Sequence, residues 1–300
     1  MSWVFLAIVS AGALGTMNTI EKVLATKYLP DSSTLIAWFG FSQIVFIIPF
    51  VILFPLDEGT PALRALSVVA SGFMFGLGFS IVLYVIRTAE ASRAFPIFNT
   101  SPIFVALYSV VVLGQHLDAV KWGAIVLTIL GAVLITVEIR GGSRFKFDRS
   151  FVLLMFAAVL VAGDFLFASY GLEDVNPTQG LWLQRLGALL PLAIWMNRRT
   201  FKNFVASLRN PKVLGLAVTS ELILGAVSQL SLLAALETGP VSLVSAILAT
   251  PPVWIFVFST VISMPFIGIL NEVVERRTLV FKAVAIGMTV LGTVGVVVNL

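Results

Sequence analysis

The sequence contains no cysteine, a single histidine and unusually little charge. The absence of cysteine excludes disulfides, thiol nucleophiles and thiolate metal ligands. Charged residues make up 11% of the chain and apolar residues 59%, whereas a soluble domain carries about 25% charge. Because so few charges cannot cover a water-facing surface, we expect the lipid bilayer to be the solvent of this protein.

What the sequence has in abundance is long apolar runs, and its mean hydropathy is +1.04. A run of about 20 apolar residues is long enough to cross a bilayer as a helix. The sequence therefore predicts an all-α membrane protein with ten transmembrane helices. The predicted spans, numbered one to ten in chain order, are Ser2–Val23, Thr34–Phe54, Ala65–Ile86, Ala94–Leu113, Val120–Ile139, Phe151–Tyr170, Thr178–Met196, Val213–Ala235, Val241–Ile262 and Leu279–Asn299.

Lysine and arginine are distributed unevenly among the predicted loops. All but three of the 19 lie at or beyond the ends of odd-numbered spans; Arg64 and Lys121 follow even-numbered spans, and Arg185 lies inside one. Cytoplasmic loops collect Lys and Arg. We therefore predict that the odd-numbered loops lie in the cytoplasm and both termini outside, in a bacterial inner (plasma) membrane.

The chain also resembles itself. "NTSPIFVALYS" (Asn99–Ser109) matches "ATPPVWIFVFS" (Ala249–Ser259) at an offset of 150, and "KWGAIVLTILGAVL" (Lys121–Leu134) matches "KAVAIGMTVLGTVG" (Lys282–Gly295) at an offset of 161. With five spans in each copy, the second copy must enter the membrane from the opposite face, which makes an inverted repeat. The predicted units are a first five-helix repeat (1–140), a basic linker (141–150) and a second five-helix repeat (151–300) with an insert near 263–275.

The matched prolines, Pro102 and Pro252, lie within apolar runs. At about 1.5 Å per residue they are ~12 Å and ~16 Å into spans four and nine, near the bilayer centre. Proline removes a backbone donor inside a helix, and a freed carbonyl group is costly in lipid. The pair favours two hinges beside a cavity; the alternative is a packing kink at each site, relieved by Thr100 and Thr250.

Ten spans in two repeats, the "ALETGPVS" turn before span nine and the matched prolines resemble the drug/metabolite transporter superfamily, specifically its EamA-type members. The resemblance covers nearly the whole chain. It implies a carrier of small metabolites, such as amino acids or amphiphilic compounds, that works by alternating access between two pseudo-symmetric halves. The chain departs from the family in having Gly114–Gln115 where a Gly-Glu pair is usual, and in the predicted external termini, because characterised relatives are expected to keep theirs in the cytoplasm.

Ionisable groups deep in a membrane are costly and usually functional. Three qualify, and all lie in the predicted second repeat: Asp164, Arg185 and Glu221. Asp164 and Arg185 have equal predicted depth on consecutive spans, so we expect an ion pair that either clamps the helices or binds substrate. Glu221 has no cation at its predicted depth and is our candidate for proton coupling; the alternative is a protonated acid that only packs.

Neutral polar and aromatic residues within the spans complete the predicted substrate site, because amide side chains should point away from lipid. For Trp182, the alternative interpretation is a place in the aromatic belt at the membrane surface. We interpret Glu21 as the solvated end of span one. The predicted substrate-binding residues beside Asp164 and Arg185 are Asn18, Gln43, Tyr84, Asn99, Trp182 and Gln229.

The sequence offers no pattern of catalytic residues. His116 lies alone in a loop, no cluster has metal-ligand spacing, and no glycine-rich loop could hold a nucleotide. We predict no enzyme activity, no cofactor, no metal site and no nucleic acid partner. The predicted function is secondary transport of a small organic metabolite, either coupled to protons or by exchange, by a monomer or weak dimer surrounded by membrane lipid. A lipid or lipid-headgroup translocase with the same fold is the alternative.

Overall fold

In the computed structural model, every regular element of the described residues is a helix. The structure describes residues 2–88, 98, 100–136, 149–262 and 276–298. Asn99, the predicted insert near 263–275 and all of the predicted linker except 149–150 lie outside the described residues. The prediction of an all-α chain agrees with the described part.

The first half contains α1 (Ser2–Val23), α2 (Ser32–Leu53), α3 (Ala62–Thr88), α4 (Ser101–Val111) and α5 (Ala119–Thr136). A π-helical turn, Leu24–Tyr28, continues α1 by five residues. Asp31 then begins α2, because its carboxylate accepts a hydrogen bond of 2.9 Å from the backbone N–H of Thr34, which is the usual role of an N-cap aspartate.

The second half begins with α6 (Arg149–Gly171), α7 (Pro177–Ala193) and the short amphipathic helix α8 (Arg198–Ser207). A continuous rod follows, formed by α9 (Pro211–Ala217), a π-helical turn (Val218–Leu224) and α10 (Gly225–Thr238). The remaining helices are α11 (Val241–Ile247), α12 (Pro251–Ile262) and α13 (Arg276–Val298).

Six helical segments of the described residues are long and apolar enough to cross a membrane, and three shorter helices are also apolar. The chain is therefore an integral, multi-pass membrane protein. Large apolar side chains cover its outer surface, including Val111, Ile194 and Ile52, which are 79%, 76% and 73% exposed. The ten predicted spans are not all long: α7 has 17 residues and carries Gln184 and Arg185, whose polarity lowers its hydropathy.

The matched prolines lie in the first turns of helices. Pro102 is in the first turn of α4, and Pro252 is in the first turn of α12. Within the predicted spans both prolines therefore lie at helix starts, because the first helical turn has no intrahelical acceptor for its N–H groups and tolerates proline. In span nine the break between α11 and α12 faces α1, where the carbonyl of Pro251 lies against Gly15.

Close contact between helices depends on glycine. A Cβ atom on Gly72 of α3 would overlap the carbonyl of Gln184 in α7, and one on Gly187 of α7 would overlap the carbonyl of Val69. In a bilayer the hydrophobic effect does not drive helices together, so small residues that allow close van der Waals contact become important. The α3–α7 interface therefore requires glycine at both positions.

The α5–α13 interface is reciprocal. Gly131 of α5 lies against Thr289 of α13, and Gly292 of α13 lies against Thr128 of α5. Both threonine hydroxyl groups donate 2.9 Å hydrogen bonds to the carbonyl four residues earlier in their own helices. Gly131 corresponds to Gly292, and Thr128 corresponds to Thr289, at the offset of 161 found in the sequence.

Two polar clusters mark the opposite ends of the helices. At one end Asp31 accepts a 3.1 Å hydrogen bond from Asn203 of α8 and lies 4.0 Å from Arg199. Partial burial raises the pKa of Asp31, but these contacts and its bonds to Thr34 outweigh burial, so the net pKa lies below the ordinary value. At the other end Arg64 forms ion pairs of 2.6 and 3.0 Å with the acids that follow α6.

We expect Gly72→Ala to lower the thermal stability of the purified protein, because the added methyl group must push α3 away from α7. Overpacking of this kind costs about 1–3 kcal/mol. Gly40→Ala in α2 is the matched control, since a Cβ atom there meets nothing within 4 Å. Melting curves in one detergent compare the variants. Equal melting temperatures for the two would contradict the close α3–α7 contact.

Candidate functional site

A cavity lies between helices α1, α2, α3, α7 and the α9–α10 rod. The space between its lining residues is about 520 Å³, including its mouth. Apolar walls with a few convergent polar groups are typical of small-molecule sites. The apolar lining residues are Leu14, Met17, Phe39, Phe75 and Ala188, and the others are Gln43, Gln184, Arg185, Glu221, Gly225, Ser228 and Gln229.

Arg185 is the cation of this cavity, and only 7% of it is exposed. Its Nη1 donates a 2.9 Å hydrogen bond to Oε1 of Gln43, and its Nη2 donates a longer one, 3.4 Å, to the carbonyl of Gly225. The guanidinium carbon lies 4.8 Å from the ring centroid of Phe46, within cation–π range. Nε has no hydrogen-bond partner among the described residues. The groups in direct contact with this charge are therefore neutral.

The expected ion pair between Asp164 and Arg185 is not formed. Asp164 accepts a 2.8 Å hydrogen bond from Nε2 of Gln184, the residue before Arg185. Successive residues of an α-helix point about 100° apart, so Gln184 faces α6 while Arg185 faces α2 and α10. The predicted depth was suitable for contact, but the rotation of α7 places the neighbouring side chain against Asp164. Glu221, and not Asp164, is the acid that lines the cavity together with Arg185.

Gln184 is the centre of a buried polar network at the wall of the cavity. Besides Asp164, its Nε2 contacts the hydroxyl group of Ser71 at 3.3 Å. Its Oε1 accepts a short hydrogen bond from Nε2 of Gln229. The network joins α3, α6, α7 and α10, and Asp164 is only 4% exposed within it. Asp164 therefore supports the wall through Gln184 and is not among the residues that line the cavity.

Glu221 lines the cavity from the π-helical turn and is 2% exposed. Its carboxyl group shares a side-chain hydrogen bond with that of Glu21 in α1. Two carboxyl groups in contact must hold a proton between them, because two carboxylates would repel each other. Oε1 of Glu221 has no hydrogen-bond partner among the described residues.

The interpretation of Glu21 as a solvated helix end is wrong. The π-helical turn Leu24–Tyr28 continues the helix beyond it, so Glu21 lies inside the helical segment and reaches Glu221. No residue pattern in the sequence marks this continuation. Gln184 was also missed, although its place beside Arg185 in "WLQRLG" made it a candidate.

Three predicted substrate-binding residues lie elsewhere in the described part. Trp182 packs beside the end of α2 and donates a 3.0 Å hydrogen bond to the carbonyl of Phe54, which is a structural role. Tyr84 is 47% exposed on the outer surface of α3. Asn18 is half-buried in α1, next to Met17 of the lining. Pro102 and Pro252 are buried and are not among the residues that line the cavity.

The predicted residues that do line the cavity are Gln43, Arg185, Glu221 and Gln229. They come from three segments, α2, α7 and the α9–α10 rod. No group of three or more acids and histidines that could hold a metal ion is found in the described residues. The arrangement can bind and orient a small molecule through one cation, amide groups and an apolar wall.

Comparison with solved structures supports the fold. Twenty-eight solved chains match. One of them, described as the crystal structure of a protein, has a TM-score of 0.69 and 15% identity, over 98% of this chain and 96% of that chain. At this identity the likeness shows the fold alone. The comparison with curated proteins found no match.

Comparison with family models found a match, and it lies in the first half of the chain. The model of the EamA-like transporter family matches residues 1–137, a stretch that includes α1 to α5. This family is part of the drug/metabolite transporter superfamily, and its members are transporters and not enzymes. Through these residues the chain is similar to the EamA-like transporter family of the drug/metabolite transporter superfamily.

Proposed function

We propose that the protein is a secondary transporter that moves a small organic metabolite, an amino acid or an amphiphilic compound, across the membrane by alternating access. The observation that carries this proposal is the buried guanidinium group of Arg185 at the wall of the cavity. A cation held by neutral groups inside a membrane protein is costly, and a charged side chain facing a cavity at that cost is a typical substrate contact. The family match supports transport as the general activity.

Two five-helix repeats of opposite orientation, residues 1–140 and 151–300, would supply the two moving halves. The reciprocal contacts of Gly131 and Gly292 at the α5–α13 interface support this symmetry. So do the two helices that begin beside Pro102 and Pro252, where Ile103 and Val253 donate to the carbonyls of Thr100 and Thr250 at 3.0 and 2.9 Å. In secondary transporters with inverted repeats, the site lies between the halves near the bilayer midplane.

The cavity is built from both proposed halves. Helices α1, α2 and α3 belong to the first, and α7 and the α9–α10 rod belong to the second. The hydrogen bond between Gln43 and Arg185 joins them directly. Rocking of one half against the other would therefore open the cavity to one side at a time and change the contacts of Arg185.

Proton coupling would use Glu221 with Glu21. The charged groups that face Glu221 in the described residues are Glu21 from α1 and Arg185 from α7. Loss of the shared proton would leave two carboxylates near Arg185, and the attraction of the added negative charge for Arg185 would compete with binding of a substrate anion. Binding of substrate and release of the proton would then be linked.

The charge distribution supports an orientation with both termini outside a bacterial inner membrane. The basic helix α8 and the loop before α2 meet at one end of the protein, and the loops after α2 and α6 meet at the other. The first end would be cytoplasmic by the distribution of Lys and Arg. The lipid-translocase alternative receives no support from the family match, which describes transporters without naming a lipid.

Arg185→Ala should reduce uptake into proteoliposomes by about tenfold or more, because hydrogen bonds to a charged group contribute about 1.5–3 kcal/mol each. The substrate for this assay is the first compound that stabilises the purified protein in a thermal-shift screen of amino acids, organic acids, amines, nucleosides and sugars. Arg199→Ala is the control, because Arg199 is 85% exposed. Equal uptake by the two variants would contradict a substrate role for Arg185.

Glu221→Gln should abolish the pH dependence of uptake and leave the fold intact, because glutamine keeps the size of the side chain but cannot release a proton. Uptake is measured with and without an imposed pH gradient, and gel filtration checks the fold. Glu237→Gln is the matched control, since Glu237 lies on the same rod and is exposed. A pH dependence that survives in Glu221→Gln would remove Glu221 from the coupling step.

The orientation can be measured directly because the chain has no cysteine. In intact cells a membrane-impermeant maleimide should label Glu58→Cys and leave Arg199→Cys unlabelled until the membrane is opened. The parent chain, which cannot react, is the control. The reverse pattern of labelling would show that the charge distribution misleads and that the termini lie in the cytoplasm.

A further inference from the structure

Arg185 lacks an anion in direct contact. The ion pairs found among the described residues involve Arg64 and Arg199 at the ends of the helices. Arg185 instead donates to an amide oxygen and a backbone carbonyl, and its Nε has no hydrogen-bond partner in the described part of the chain. A guanidinium group is planar and matches a carboxylate with two parallel hydrogen bonds. Arg185 lines the cavity, and its buried, unpaired Nε donor favours a carboxylate as the missing partner of the guanidinium group.

Part of the cavity wall is formed by apolar side chains. Leu14 and Met17 of α1, Phe39 of α2 and Phe75 of α3 line it. Phe39 and Phe75 lie with their ring centroids 6.3 Å apart, and rings so placed can pack around an apolar group. The wall would therefore bind a hydrocarbon body better than a sugar or a nucleobase, whose many polar groups would lose their water without replacement.

The cavity has little to offer an ammonium group. Among its lining residues Glu221 is the one carboxyl group in the described part, and Glu21 already shares a hydrogen bond with it. Asp164 lies behind Gln184, which donates to it. An ammonium group near Glu221 would also lie near the positive charge of Arg185.

We propose that the substrate is a small organic anion, a carboxylate with an apolar body and no ammonium group, whose carboxylate binds Arg185. This inference rests on the proposed transport function and narrows its substrate class. Gln43 holds the guanidinium group from the side, and the ring of Phe46 lies against it. The apolar body of the anion lies against the walls formed by α1, α2 and α3.

Three probes of nearly equal size test the substrate class on the unmodified protein: 3-phenylpropanoate, L-phenylalanine and phenethylamine. We expect 3-phenylpropanoate to bind at least tenfold more tightly than either amine-bearing probe in calorimetry of the purified protein at pH 7. Equal or tighter binding of L-phenylalanine would overturn the inference and leave the proposed transport function standing. Tighter binding of phenethylamine would overturn it as well.

Variants at position 185 test the place of binding. Arg185→Gln should weaken binding of 3-phenylpropanoate by about ten- to hundredfold, the loss expected for hydrogen bonds to a charged group. Arg185→Lys keeps the charge without the planar fork and should give a smaller loss, which keeps the test informative if Arg185→Gln does not fold. Arg199→Gln is the control and should bind like the parent. Unchanged binding in both variants at position 185 would overturn the inference.

Uptake of labelled 3-phenylpropanoate into proteoliposomes separates the two proposals. Binding that depends on Arg185, with uptake, supports both. Binding that depends on Arg185, without uptake of this probe or of any compound that stabilises the protein, supports the anion site and contradicts the transport function. Uptake of another compound, with no binding of 3-phenylpropanoate, contradicts the anion site alone.

Discussion

The arrangement of the helices around the cavity depends on the contacts that stabilise the buried guanidinium group of Arg185. Removing one partner of a buried charge is costly because the charge is left without compensation. Here compensation comes from Gln43 of α2, the carbonyl of Gly225 in α10 and the ring of Phe46. These groups belong to separate helices. The positions of α2, α7 and α10 are therefore linked to one charge, and the cavity beside it follows from that arrangement.

Close packing makes the arrangement rigid. Because lipid chains are as apolar as leucine, helices in a bilayer gain stability from contact and from polar bonds and not from burial alone. Gly72 and Gly187 let α3 and α7 approach until their backbones touch, and Gln184 adds bonds to Ser71 and Asp164 at the same level. The helix that carries Arg185 is thus fixed along its length and about its axis.

Apolar length predicted an all-helical membrane protein, and the repeated segments suggested the family that residues 1–137 match, because both are properties of the sequence itself. Depth was predicted well enough to select Arg185, Glu221 and Gln229, which all line the cavity. The rotation of each helix about its axis was not predicted, since a difference of one residue turns a side chain by about 100°. Gln184 therefore lies beside Asp164, where Arg185 was expected. Glu21 was interpreted as a solvated helix end because no residue pattern marks the π-helical turn that extends α1 past it.

The three deep ionisable groups selected from the sequence all lie in the second half, yet the first half supplies their partners. Gln43 of α2 holds Arg185, and Glu21 of α1 meets Glu221. A binding site shared in this way cannot keep all its contacts if one half rotates against the other. Occupation by a substrate would then favour whichever arrangement best restores the contacts of Arg185, since a ligand shifts a conformational equilibrium only by its differential affinity for the two states.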